Sequence, residues 1–139
     1  MDETEEAELR ELIPRLRRFA RTLTREPVAA DDLVQATLER AVSRWKSRSE
    51  AGSLQAWLFS ILYRRFLDER RSAGRFTRLL SGWLGGPREV APSAEDVVMA
   101  RASLESFERL PAEQRALLVL VVVEGLSYRE TAQALGVPI

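Results

Sequence analysis

Arginine carries the first chemical signal in this chain. Arg15, Arg17, Arg18, Arg21 and Arg25 fall in one stretch and Arg64, Arg65, Arg70, Arg71, Arg75 and Arg78 in another, while Lys46 is the only lysine. A guanidinium presents a rigid fork of donors that suits phosphates and base edges better than an ammonium does. The net charge of zero conceals this pattern, because acidic residues gather at positions 2–11 and in the second half. Asp31, Asp32, Gln35 and Glu39 offer a different chemistry. Helical spacing puts Asp32, Gln35 and Glu39 on one side, as a protein-binding face requires, and Asp31 and Asp32 would also complement a helix N-terminus. Between these sets lies Lys46-Ser47-Arg48-Ser49-Glu50-Ala51-Gly52-Ser53. There, hydrogen-bonding side chains surround a glycine that permits close backbone approach.

Zero Cys and zero His remove disulfides, a thiolate nucleophile, a histidine acid or base, and a zinc site. No catalytic constellation remains. The expectation is a non-enzymatic protein of a reducing cytosol with no cofactor, no metal and no small-molecule substrate. No apolar run approaches the roughly 18–20 residues that span a bilayer, and the acidic start at Met1–Glu6 is the opposite of a signal peptide. Membrane insertion is therefore not expected. At 139 residues, 45% hydrophobic and 30% charged, the chain is long enough for one ordinary domain or two small ones.

The elements that must position these groups read as helices. Leu9, Leu12, Ile13, Leu16, Phe19, Ala20 and Leu23 form the apolar stripe of an amphipathic helix, with Pro14 expected to kink it or mark a restart. A second helix is predicted from Pro27 or Val28 to about Trp45, burying Val34, Leu38, Ala41 and Trp45. Ser53 caps a third, from Leu54 to about Arg71. From Ser72 to Pro92 glycine and proline break the pattern, although Leu79, Leu80, Trp83 and Leu84 are apolar enough for a short helix or a docking segment. Ser93 and Asp96 open a further helix carrying Val97, Ala100, Leu104 and Phe107, and Pro111 ends it. The run Leu117–Val123 is rich in β-branched residues, yet no partner strand exists in the sequence, so a buried helix ended by Gly125 is predicted. The fold class is all-α: two small helical domains, 1–73 and 93–139, joined by a Gly/Pro-containing linker at 74–92.

Ser127–Gly136 reads as the first helix and turn of a helix-turn-helix, with Ser127 and Glu130 spaced as a capping box and Gly136 supplying the turn. The second helix of such a motif carries the base contacts, and here it would start at Pro138, so the second domain is expected to lack its recognition helix. Leu117–Val123 and Leu126 would then lose cover, to be replaced by another protein, by the chain's own first domain or linker, or by a second copy.

The order of these pieces resembles the extracytoplasmic-function (ECF) sigma factors of bacterial RNA polymerase over residues 8–139. Ala30-Asp31-Asp32-Leu33-Val34-Gln35-Ala36-Thr37-Leu38-Glu39-Arg40-Ala41 resembles the polymerase-clamp helix, although Ala36 stands where the family often has an acidic residue. Leu54–Ile61 with Asp68-Glu69-Arg70-Arg71 resembles the −10 recognition helix, and Leu110–Arg115 with Glu124–Ala132 resembles the −35 domain. The resemblance implies a cytoplasmic alternative sigma factor whose partners are core RNA polymerase, promoter DNA and an anti-sigma factor. Asp31, Asp32, Gln35 and Glu39 would meet the polymerase. Lys46, Arg48, Ser49, Ser53, Tyr63, Arg64, Arg65 and Arg71 would meet the −10 region, the loop holding a flipped base and the arginines holding phosphates. Phe59, Tyr63 and Phe66 form an aromatic line that could stack on bases, with Phe59 and Phe66 read first as core. Ser127, Tyr128 and Arg129 would belong to partial −35 recognition. The alternative is a sigma-like decoy that sequesters an anti-sigma factor without binding promoter DNA. A stand-alone helix-turn-helix repressor would leave the clamp-like helix unexplained.

Overall fold

Asp2 opens the first helix: its carboxylate accepts from the Glu5 N–H at 2.7 Å, and Glu3, Glu5 and Glu6 face the positive end of the helix dipole. The computed structural model describes residues 1–48, 52–84, 107 and 109–138, with side chains described only as far as residue 74 in the helix that reaches residue 84. The first helix, α1, spans Glu3–Thr24 and runs through Pro14 without a break, so the expected restart is not found. Its stripe Leu9, Leu12, Leu16, Phe19, Ala20 and Leu23 is buried as the spacing predicts. Arg25 turns the chain in the left-handed region, at φ 59°, and Glu26 caps α2 (Pro27–Ser43) by accepting from the Val28 and Ala29 N–H groups. Pro27 takes the first helical position, where its missing donor costs nothing.

The buried stripe of α2 is Ala30, Leu33, Val34, Thr37 and Ala41, while Leu38 and Trp45 are only half-buried. A 3₁₀ turn at Trp45–Ser47 follows, and Ser53 caps α3 (Leu54–Leu84) by accepting from the Ala56 N–H at 3.0 Å. Thus α3 continues past Arg71 and through Gly74 and Gly82, into the stretch read as linker. The helices α1, α2 and α3 close around Leu16, Phe19, Leu33, Leu58, Phe59 and Leu62, with Phe19 edge-on to Phe59 at 5.1 Å.

The helix predicted from Ser93 lies outside the described residues, except that Phe107 packs against the core. Pro111 precedes α4 (Ala112–Leu118), which runs into a π-helical turn at Val119–Val123. Gly125, at φ +70°, ends it, and the Leu126 N–H reaches back to the Leu120 carbonyl at 2.9 Å. The valine-rich run is therefore helical, as expected, but only one face of it is buried. Val119 and Leu120 are inside, whereas Leu117, Leu118, Val122 and Val123 are exposed. The last helix, α5 (Tyr128–Leu135), carries the complete capping box of Ser127 and Glu130 and ends at Gly136, φ +69°.

Among the described residues there is no strand, and no helix is long and apolar enough to cross a membrane. The two units are not held apart. Ala112, Ala116, Val119, Leu120 and Leu126 join the same buried cluster as the first three helices, with α4 against α1 and α5 against α3.

Candidate nucleic-acid and partner interface

The polar residues of α2 sit where helical spacing puts them. Asp32, Gln35 and Glu39 are all exposed, and the Gln35 amide donates to the Glu39 carboxylate at 3.3 Å, one turn on. Asp31 has a second role: it pairs with Arg17 of α1 at 3.3 Å, tying the two helices across their surface. An outward face of two carboxylates and an amide, with no side chain of α4 or α5 bonded to it, is open to a protein partner.

The loop residues fare less uniformly. Lys46 is exposed. Arg48 lies over the Trp45 ring at 4.6 Å and pairs with Glu5 at 3.4 Å, while the Trp45 indole N–H donates to the same carboxylate. With only 17% of its side chain exposed, Arg48 is a brace between the 3₁₀ turn and the start of α1 rather than a free phosphate ligand. Ser49 lies outside the described residues. The Ser53 hydroxyl accepts from the Ala56 N–H and donates to Glu130 of α5 at 2.9 Å, so the second unit occupies it.

On α3, Arg64, Arg65 and Arg71 are exposed; Arg65 bonds Glu69 one turn on at 3.1 Å, and Arg70 stands over the Phe66 ring at 5.7 Å. The aromatic line is not available for stacking in this arrangement. Phe59, Tyr63 and Phe66 are all buried, and Tyr63 packs against Phe66 at 6.3 Å. In this arrangement Tyr63, expected to contact a base, is packed in the core. Burial, and then the nearby Glu113 carboxylate of α4, push its phenol above the usual range.

Two groups that the sequence did not single out complete the surface. Arg40 of α2 and Arg44, just past its end, line a cleft of about 260 Å³ together with Arg64 and Arg65 of α3, with Asp68 as its acid and Trp57 in its wall. The other group joins the units. Glu124 is buried after the π turn and accepts from Arg18 of α1 through both Nε, at 2.9 Å, and a second guanidinium nitrogen, and from the Gln55 amide at 3.4 Å. Arg115, also buried, donates to the Thr22 and Leu23 carbonyls at the end of α1 and to Leu110. These are carbonyls that the end of a helix leaves without internal donors. Glu130 accepts from the Ser127 N–H and from Ser53, and the first of these, then the second, holds its carboxyl below the usual glutamate range. Tyr128 and Arg129 point outward from the start of α5, whereas the Ser127 hydroxyl is committed to the cap.

Residues 9–63 match the Sigma2 domain of PhyR, and residues 102–139 match region 4 of sigma-70. The chain is 33% identical over 124 residues to the ECF RNA polymerase sigma factor EcfG of Rhodopseudomonas palustris, covering 89% of this chain and 68% of that protein. It is 36% identical over 126 residues to the ECF sigma factor SigD of Mycobacterium tuberculosis, covering 83% of this chain and 57% of that one. Among solved structures, its fold superposes with a TM-score of 0.76 and 29% identity on the sigma factor RpoE of Bartonella quintana, crystallised with the anti-sigma factor NepR, covering 99% of this chain and 86% of that chain.

Proposed function

We propose that this chain, which belongs to the ECF sigma factors, non-enzymatic transcription initiation factors, docks on core RNA polymerase through α2 and holds the opened −10 strand on the arginines of α3. The observation that carries the reading is the separation of two exposed chemistries on one rigid pair of helices. Asp32, Gln35 and Glu39 make an acidic and amide face, and Arg64, Arg65 and Arg71 a cationic one. In this reading residues 1–73 bind polymerase and the −10 element, 74–92 connect, and 93–139 belong to the −35 unit with Ser127, Tyr128 and Arg129 at its surface. Its place of work is the cytoplasm, where core enzyme and promoter are.

An anti-sigma factor is the proposed regulator. The support is RpoE, the relative of the same fold, which was crystallised with one. A decoy that meets only an anti-sigma factor has no use for the free cationic surface of α3, so the promoter-binding reading is preferred.

The test is a pull-down of core polymerase by the tagged chain. Charge reversal in Asp32→Lys/Glu39→Lys is expected to reduce capture at least tenfold with helicity by circular dichroism unchanged, because both positions are exposed and neither supports the core. Full capture by this variant overturns the docking face.

A further inference from the structure

We infer that the junction of the two units is a binding site for a small organic diphosphate, of the nucleoside diphosphate class, held by guanidinium groups that both units supply. This site goes beyond the proposed function and requires neither polymerase nor promoter.

The end of α1, the middle of α3 and the start of α4 enclose a cleft of about 570 Å³. Ligand pockets commonly span roughly 300–1,000 Å³, so a molecule of nucleotide size fits. Arg25 from the cap of α1, Arg70 from α3, Arg109 from before α4 and Arg115 from α4 all line it. Among the described residues the lining carries one carboxylate against them, Glu69, and that group already bonds Arg65 at 3.1 Å. The adjoining hollow shares Arg25 and Arg115 and adds Arg21. Its acid, Glu26, is engaged by the Val28 and Ala29 N–H groups. A concave surface lined so heavily by one sign of charge focuses the field and concentrates anions.

The arginines divide the work. Arg115 is buried and donates to the Thr22, Leu23 and Leu110 carbonyls, so it supplies charge from the floor. Arg25 and Arg70 are exposed, and among the described residues neither pairs with a carboxylate; Arg70 stands over the Phe66 ring at 5.7 Å. The turn itself does not call for an arginine at position 25, since its φ of 59° is one that glycine or asparagine usually fills. Each guanidinium is a fork that grips a phosphate bidentately, and two such forks suit two phosphate groups. The walls decide between a bare anion and an organic one. Phe66, Leu110 and Pro111 put apolar surface beside the cations, and a guanidinium plane also accepts a stacked aromatic ring. Because the first unit contributes Arg25 and Arg70 and the second Arg109 and Arg115, the ligand binds the units when they are together and thereby favours that arrangement.

The experiment is calorimetric titration and thermal unfolding of the full chain with adenosine diphosphate, guanosine diphosphate and inorganic pyrophosphate at constant ionic strength, with sulfate as the control. Saturable binding of a nucleoside diphosphate is expected, with a Tm that rises with its concentration and does not rise with sulfate. Arg25→Gly/Arg70→Gln is expected to weaken binding at least tenfold; glycine suits the left-handed backbone at 25 and glutamine the helix at 70. Arg109→Gln, in the second unit, is expected to weaken it severalfold, and Arg10→Ala, at the far end of α1, to leave it unchanged. No saturable binding, or full affinity in Arg25→Gly/Arg70→Gln, overturns the site. Full affinity in Arg109→Gln overturns its sharing between the units. Pyrophosphate that binds as tightly as the nucleoside diphosphates overturns the organic ligand. A single-stranded oligonucleotide that displaces a fluorescent nucleoside diphosphate equally well per phosphate would assign these arginines to a nucleic-acid surface, contrary to the inference.

Discussion

At Glu130 one carboxylate serves two helices: it closes the capping box on the Ser127 N–H at 3.1 Å and accepts from Ser53, before α3, at 2.9 Å. The sequence displays the first role through the three-residue spacing and hides the second, because Ser53 is 77 positions away. Both hydrogen bonds favour the ionised form, so the folded pKa is lowered. The contribution is therefore fully present above the ordinary glutamate value of about 4.3 and is lost as pH falls through the depressed folded value. Glutamine can still complete a capping box. Glu130→Gln is accordingly expected to fold at neutral pH and to lose less stability than the parent between about pH 5 and pH 3. Urea midpoints across that window check this by difference, since all other carboxylates are common to both chains. Parallel curves would mean that Glu130 does not carry charge-dependent stability.

The elements were legible wherever their causes are local. Apolar stripes, the Ser53 and Ser127 caps and the left-handed glycines at 125 and 136 all act within a few residues, and each appears where its spacing places it. Three features escaped because distant packing decides them. The end of α3 lies at Leu84 rather than near Arg71. Tyr63 is buried and lies near enough to Glu113 of α4 to feel its charge, which no spacing within α3 reveals. And α1 continues through Pro14 without a restart, because Leu9, Leu12, Leu16 and Phe19 on both sides are seated in one core. Arg40 and Arg44 are visible in the sequence, yet their sharing a cleft with Arg64 and Arg65 is not. Pro14 leads to the prediction at this scale. It is exposed, its missing N–H leaves the Arg10 carbonyl without its helical donor, and an internal proline costs a helix about 3 kcal/mol relative to alanine. Pro14→Ala is expected to raise the unfolding free energy by about 1–3 kcal/mol, seen as a Tm several degrees higher. A lower Tm would show that the proline sets a bend that the core requires.

On the scale of the whole molecule, the proposed contact with two promoter elements raises the question of how a chain with that task can fold its two units together. Each base pair adds 3.4 Å to a duplex, so contacts several helical turns apart demand units tens of ångströms apart. Here Ser53 and Glu130 are hydrogen-bonded across the two units at 2.9 Å. This arrangement leaves Asp32, Gln35 and Glu39 and the arginines at 64, 65 and 71 exposed and engages Ser53 with Glu130. Its most sensitive fastening is Glu124, whose side chain is 0% exposed and is balanced chiefly by Arg18, itself 52% exposed. Removing Arg18 leaves that carboxylate in the interface with, among the described residues, the longer bond from Gln55 at 3.4 Å. A buried acceptor that loses its main donor costs about 1–3 kcal/mol, discounted toward the lower end because water reaches the arginine side. Arg18 faces outward from α1 and takes no part in its buried stripe, so the first three helices keep their core. Arg18→Ala is thus expected to leave helicity intact and shift the chain toward an extended form by roughly five- to thirty-fold. Small-angle scattering would register a larger radius of gyration, and single-stranded −10 DNA would bind several-fold more tightly as Ser53 is released. An unchanged scattering profile with unchanged affinity would show that apolar packing among Ala116, Leu120 and Leu126, and not the Arg18–Glu124 pair, holds the units closed.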